Sequence, residues 1–157
     1  MLISLTHLAL HVRDLDACIA FYRNYAGLTI VHQRTRGDKR IVWLAEPEKI
    51  SGASAAELDP NSDRVPAGLD FILVLLPGGP GRDQLDCDFS HLGFALQSEA
   101  AVDAIAERAR DESILAWEPK REAYPVGYYC GIRDPDGNFV EFSYGQPLGP
   151  GAPGHSD

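Results

Sequence analysis

The sequence predicts an α+β fold built from two consecutive βαβββ modules, and three observations carry that prediction. Each half of the chain holds one capped, amphipathic helical segment among four strand-like runs. The order of these segments is the same in both halves. The halves also share wording: "THLALHV" in the first lies on "SHLGFAL" in the second, and each is followed by its helix. The chain has 157 residues, 45% hydrophobic and 24% charged, so it is long enough to bury a core without a covalent staple.

The elements follow in order. "ISLTHLALHV" interleaves apolar and polar residues as a strand with two differently used faces does. In "RDLDACIAFYRNYAG", Asp14 can cap a helix, Ala17, Ile19, Ala20, Phe21 and Tyr25 follow at mixed spacings of three and four, and Gly27 suits a left-handed stop. "LTIVHQRTRG", "KRIVWLAE" and "LDFILVLLPGG" read as strands, the last two separated by a polar loop from about Pro47 to Gly68. In the second half "FSHLGFAL" is a strand, "SEAAVDAIAERARDES" a helix capped by Ser98, and "ILAWEPKRE", "VGYYCGIRD" and "NFVEFSY" are strands. The expected organisation is a single domain over residues 1–146, with module one at about 1–80 and module two at about 87–146. The Gly- and Pro-rich residues 147–157 form a flexible tail.

Composition excludes several function classes. A formal charge of −9 and no cluster of Lys and Arg argue against a nucleic-acid partner, because phosphate neutralisation needs clustered cations. Anionic membranes are disfavoured for the same reason, and the longest apolar run, "FILVLLP", is too short to span a bilayer. Cys18, Cys87 and Cys130 are odd in number and far apart, which indicates neither a disulfide framework nor a zinc knuckle, and they read as buried small apolar residues. With no leader-like N-terminus, a cytoplasmic location is expected.

Laying one module on the other gives the candidate site. His7 falls on His91, and "DFILVLLPG" laid on "NFVEFSYGQ" sets Leu73 opposite Glu141. Side chains alternate along a strand, so His7 shares its face with Leu5, Ala9 and His11, and Glu141 shares its face with Phe139 and Ser143. Two imidazoles and one carboxylate suit a divalent first-row metal with coordination positions left open for water or substrate. Asp134, Pro135, Asp136, Gly137 and Asn138 are turn formers that would aim Glu141. His11 is a candidate acid–base or supporting group beside His7. Trp43, Trp117, Phe94, Tyr128 and Tyr129 are candidate cavity aromatics, with packing in strands as the competing explanation.

The pattern "HLALHVRDLDACIAFY", the later "HLGFAL" and the closing "DPDGNFVEF" resemble the vicinal oxygen chelate superfamily, which includes glyoxalase I, extradiol dioxygenases, fosfomycin-resistance enzymes, methylmalonyl-CoA epimerase and bleomycin-binding proteins. The resemblance covers essentially residues 3 to 146. It implies two βαβββ modules forming a cupped mixed sheet around a metal, with His7, His91 and Glu141 at the ligand positions. These motifs speak for the fold more than for an activity.

Departures from the family's patterns narrow the reading. Glyoxalase I has a further carboxylate ligand where the internal alignment puts Leu73, so its isomerisation is disfavoured unless Glu46 or Glu57 reaches in from the loop; the epimerase loses support likewise. Extradiol dioxygenases use two histidines and one glutamate, but their signature Tyr falls on Gly131 here; of Tyr124, Tyr128 and Tyr129, only Tyr129 shares its strand parity. Fosfomycin enzymes need a cationic cradle, for which Lys120, Arg121 and Arg133 are candidates. The expected function is a metal-dependent, dioxygenase-type enzyme acting on a small substrate with adjacent oxygens. Fe(II) or Mn(II) is the favoured ion, Zn, Ni and Co are the alternatives, and His11 or Tyr129 would move protons. A drug-sequestering protein of the bleomycin-resistance kind and a thiol transferase or lyase of the same superfamily are the competing readings. A homodimer is expected.

Overall fold

The computed structural model of the chain describes residues 4–47, 59–62, 64–149 and 152. It divides into two compact units, Met1–Gly81 and Arg82–Asp157, and each is a βαβββ module, as the sequence predicts. Among the described residues no helix is long and apolar enough to cross a membrane.

In the first unit the elements are β1 (His7–Val12), α1 (Leu15–Ala26), β2 (Thr29–Arg36), β3 (Lys39–Ala45) and β4 (Ile72–Pro77). Helix α1 begins where the sequence places it: the Asp14 carboxylate accepts the Ala17 N–H at 3.0 Å, removing one orphan donor of the first turn. It ends at Gly27, whose φ of 66° is the left-handed conformation that releases the chain. The strands form a sheet of order β1-β4-β3-β2, with β1 parallel to β4 and the other pairs antiparallel. Leu73 and Leu75 are buried on one face of β4, with α1 packed on that strand; Ile72, Val74 and Leu76 point to the other face.

The second unit repeats the plan with β5 (His91–Ala95), α2 (Glu99–Asp111), β6 (Leu115–Glu122), β7 (Gly127–Arg133) and β8 (Phe139–Tyr144), in sheet order β5-β8-β7-β6. Ser98 caps α2 through Ala101 N–H at 3.2 Å. Val102, Ala106 and Ala109 are buried on the sheet, where Val140 and Phe142 of β8 are fully enclosed. Each such fully buried apolar side chain contributes about 1.5–3 kcal/mol. Cys130 lies on this helix face, its thiol 3.7 Å from the Val102 carbonyl, and so does Tyr128, whose hydroxyl donates to Asp103 at 2.7 Å.

Strand register corrects the internal alignment. His7 pairs with Ile72 and Ala9 with Val74, whereas His91 pairs with Phe139 and Gly93 with Glu141. The first-unit counterpart of Glu141 is therefore Val74, not Leu73. A one-residue slip exchanges the faces of a strand, and Leu73 belongs to the face against α1. The row through the site reads Ala9, Val74, Trp43, His32 in the first unit and Gly93, Glu141, Gly131, Trp117 in the second.

The tail expectation falls partly outside the described residues, which omit 150, 151 and 153–157. Gly149 packs against Ala95 of β5 closely enough to leave no room for a Cβ, and Ala152 is buried. Glu57 also lies outside the described residues.

Candidate functional site

Glu141 stands in the middle of β8, aimed by the turn before it. The Asp134 carboxylate accepts the N–H groups of Asp136 and Asn138, each at 2.9 Å, and the Asn138 side-chain amide at 2.9 Å. Gly137 takes φ 82°, where an L side chain is strained, and Asp83 also approaches it too closely to admit a Cβ. Gln84, buried and in no sequence motif, ties the turn to the start of β5. Its side-chain oxygen accepts the Phe139 N–H at 3.2 Å, and its amide donates to the carbonyls of Asp88 and Ser90.

The segment just before β5 is set by Asp88. Its Oδ1 accepts the Ser90 N–H and hydroxyl at 3.0 and 2.7 Å, and Arg82 reaches Oδ2 at 3.0 Å. The Ser90 donors, with Arg82, hold its carboxyl down at about 2. This arrangement places the Phe89 carbonyl 2.7 Å from His91 Nδ1. A carbonyl can only accept, so Nδ1 carries a proton, which leaves Nε2 as the nitrogen turned toward Glu141.

That Nε2 is 3.4 Å from Glu141 Oε2. The carboxylate side chain is only 7% exposed, and Gln146 donates to its other oxygen at 2.9 Å. A carboxylate this buried, with an imidazole nitrogen facing it, calls for a proton or a cation between them. Two ligands held about 2.0–2.2 Å from one ion, at tetrahedral or octahedral angles, stand about 2.8–3.6 Å apart, a span that contains the observed separation. The donor set therefore fits a divalent cation. Both strand neighbours of Glu141 at this level, Gly93 and Gly131, lack side chains, and a Cβ at Gly93 would meet none of the described residues within 4 Å.

His91, Glu141 and Tyr129 line one cavity of about 580 Å³ with Phe89, Trp117, Pro119, Val126, Glu118 and Lys120. Trp117 meets the His91 ring edge-on at 5.6 Å and packs on Phe139 at 4.8 Å. Lys120 lies 5.3 Å from the centre of the Tyr129 ring and pairs with Glu122 at 3.0 Å; its bonds to Tyr129 and Glu122 raise its pKa. Ser143, in the row beyond Glu141, is buried, and its hydroxyl has no hydrogen-bond partner among the described residues.

The other predicted residues are placed as follows. His7 lies in the first unit, its Nδ1 3.0 Å from the Thr6 hydroxyl, and lines a cavity of about 370 Å³ with Trp43, Val74 and Arg34. His11 stands near the end of β1, where its Nε2–H donates to the Pro77 carbonyl at 3.3 Å. Among the described residues, no three His, Cys, Asp or Glu side chains converge within either unit. Trp117 and Tyr129 are cavity aromatics of the second unit and Trp43 of the first, whereas Phe94 stacks on Phe142 and Tyr128 serves the helix face. Cys18 and Cys130 are buried, but Cys87 is exposed, contrary to the reading of all three as core residues. The suggested cationic cradle is dispersed. Arg133 is bound to Asp86 at 2.6 Å and to the Gln84 carbonyl at 2.9 Å, and Arg121 pairs with Glu99; of the three, only Lys120 lines the cavity.

Sequence reasoning missed Gln84, Gln146, the Phe89 carbonyl and the Trp117–Gly131 contact. The first three act through hydrogen bonds that no spacing reveals. The last had a signal, because a glycine inside a strand marks close approach by another group.

An uncharacterised protein of Pseudomonas aeruginosa is 52% identical over 149 residues, covering 95% of this chain and 94% of that protein. Among solved structures, the fosfomycin resistance protein FosX from Listeria monocytogenes matches with a TM-score of 0.62 at 18% identity, over 91% of this chain and 94% of that one. A mutant of that protein has been crystallised with Mn(II) and 1S,2S-dihydroxypropylphosphonic acid. An antibiotic binding protein from Streptomyces, TnmS3, matches at 0.58 and 21% identity, over 91% and 97% of the two chains. These distant likenesses show the fold. The sequence model of the Glyoxalase/Bleomycin resistance protein/Dioxygenase superfamily matches residues 4–142, nearly the whole chain, and this protein belongs to that superfamily.

Proposed function

We propose that the protein is a divalent-metal-dependent enzyme of dioxygenase type, acting on a small substrate with two adjacent oxygens. The observation that carries this reading is the facing pair of His91 Nε2 and Glu141 Oε2 at 3.4 Å, with the imidazole oriented by the Phe89 carbonyl. His91 and Glu141 are the proposed ligands. His7, the first-module counterpart of His91, is the further imidazole expected from the sequence. Fe(II) or Mn(II) is the ion favoured by this mixed nitrogen and oxygen set. When bound, such an ion polarises a coordinated oxygen and holds vicinal oxygens together.

The chain's own residues supply the rest. Glu141 would bring a carboxylate oxygen to the ion and His91 an imidazole nitrogen. Phe89, Trp117 and Val126 give the cavity an apolar wall against which an apolar or aromatic part of the substrate can pack. Tyr129 lies on the same sheet face as Glu141 and is the proposed proton-handling group, its Oη beside the Lys120 ammonium. We prefer it to His11, whose Nε2–H is engaged by the Pro77 carbonyl. The dispersal of Arg121 and Arg133 speaks against a phosphonate substrate.

A second reading, sequestration of an aromatic drug, draws on the same wall of Phe89 and Trp117. Oxygen uptake separates the two. Fe(II)-loaded protein given catechols consumes oxygen in the enzymatic reading, with loss in Tyr129→Phe and Glu141→Gln. Ligand binding that is unchanged in Glu141→Gln, with no turnover by the wild type, supports sequestration.

A further inference from the structure

Glu141 makes a second contact that the ligand role does not use. Gln146 Nε2 donates to Oε1 at 2.9 Å, while Oε2 is the oxygen that faces His91. Five residues of extended strand span about 16 Å, so this contact requires the chain to reverse after β8. Gly145 makes the reversal at φ 84°, a conformation that costs an L side chain. Beyond it the segment runs back over the sheet until Gly149 lies against Ala95 of β5.

We propose that Gln146 is a positioning residue that orients Glu141 as a metal ligand through one oxygen. A free carboxylate rotates about its last bond and offers an ion either oxygen or both. An amide donor on Oε1 fixes that rotation before the ion arrives and leaves the lone pairs of Oε2 directed at the His91 side. The donor must be neutral for this purpose: a Lys or Arg there would cancel the charge that attracts the cation, whereas an amide leaves it intact. The backbone is arranged to deliver this donor: among the described residues the left-handed Gly145 has no close neighbour that would otherwise require glycine.

This inference rests on the metal reading of His91 and Glu141, and the test keeps the two apart. Metal-free wild type, Gln146→Leu and Gln146→Asn are titrated with Co(II) and followed by its visible absorption, which reports ligand number and geometry. The Asn variant keeps the amide but is one methylene too short to reach Oε1. The expected result is stoichiometric binding by the wild type and affinity weakened about 10–100-fold in both variants. Shifted cobalt bands and unchanged melting temperatures of the metal-free proteins complete that result. Affinity and bands like those of the wild type in both variants overturn the role of Gln146 and leave the metal reading standing. A lower metal-free melting temperature with an unchanged cobalt spectrum also overturns it, because the residue is then only structural. A wild type that binds no Co(II) overturns the metal reading and this inference together.

Discussion

The Trp117 indole occupies the space above Gly131 that a side chain at that position would fill. Strand β6 is irregular on both sides of Trp117, and this distortion accompanies the placement of the ring over β7. The contact gives a physical reason why Gly131 stands where the dioxygenase signature has a tyrosine. It predicts that Gly131→Ala costs about 1–3 kcal/mol through overpacking. The cost should shrink when the same change is made in a Trp117→Ala background, a coupling that a double-mutant cycle of urea melts measures. An equal cost in both backgrounds would contradict the packing explanation.

Leu73 and Val74 mark the one place where the internal repeat misleads. Wording alone slides "DFILVLLPG" against "NFVEFSYGQ" by one residue, because β4 is apolar on both faces and its alternation gives no signal. The hydrogen-bonded register decides it: Leu73 is 2% exposed on the face against α1, and Val74 takes the place of Glu141. The modules, caps and helices were legible because their signals are local, as Asp14, Gly27 and Ser98 illustrate. His91 stood out because His7 matches it in the repeat, and Glu141 because it is a lone carboxylate in an apolar run that follows a turn. Gln84 and Gln146 were not, since each acts through hydrogen bonds made by the fold. Leu73→Ala should destabilise by about 2–5 kcal/mol in equilibrium denaturation without altering metal affinity.

Asp134 should matter to stability out of proportion to its size. Asp134→Ala removes the acceptor for two backbone N–H groups and the Asn138 amide at the start of β8. A loss of about 2–3 kcal/mol is expected, in the range for hydrogen bonds to a charged group.

Asp88 gives a pH signature. Its folded pKa, about 2, lies below the ordinary value of 3.8, so its stabilisation is present above that ordinary value and is lost as pH falls through the folded one. The difference in melting temperature between wild type and Asp88→Asn should be constant above about pH 5 and should shrink between about pH 4 and pH 2. A constant difference throughout would remove the assigned cause.

The thiols should separate cleanly. Burial, aided by the Glu141 charge, pushes the Cys130 thiol up to about 12, and Cys18 is fully enclosed, while Cys87 is exposed. A chromogenic disulfide reagent at pH 8 should label one thiol per native chain rapidly, and Cys87→Ser should abolish that phase. Rapid labelling of a second thiol in the native protein would contradict the burial of the other two.

In the proposed function His91 and Glu141 together hold a divalent ion. The most direct test of this is elemental analysis of protein purified without chelator, then equilibrated with Fe(II) or Mn(II) and desalted, for the wild type, His91→Ala and Glu141→Gln. A stoichiometric ion in the wild type, lost in both variants while their folded circular dichroism is kept, is the predicted result. A wild type that retains no metal, or variants that retain as much as the wild type, would contradict the account.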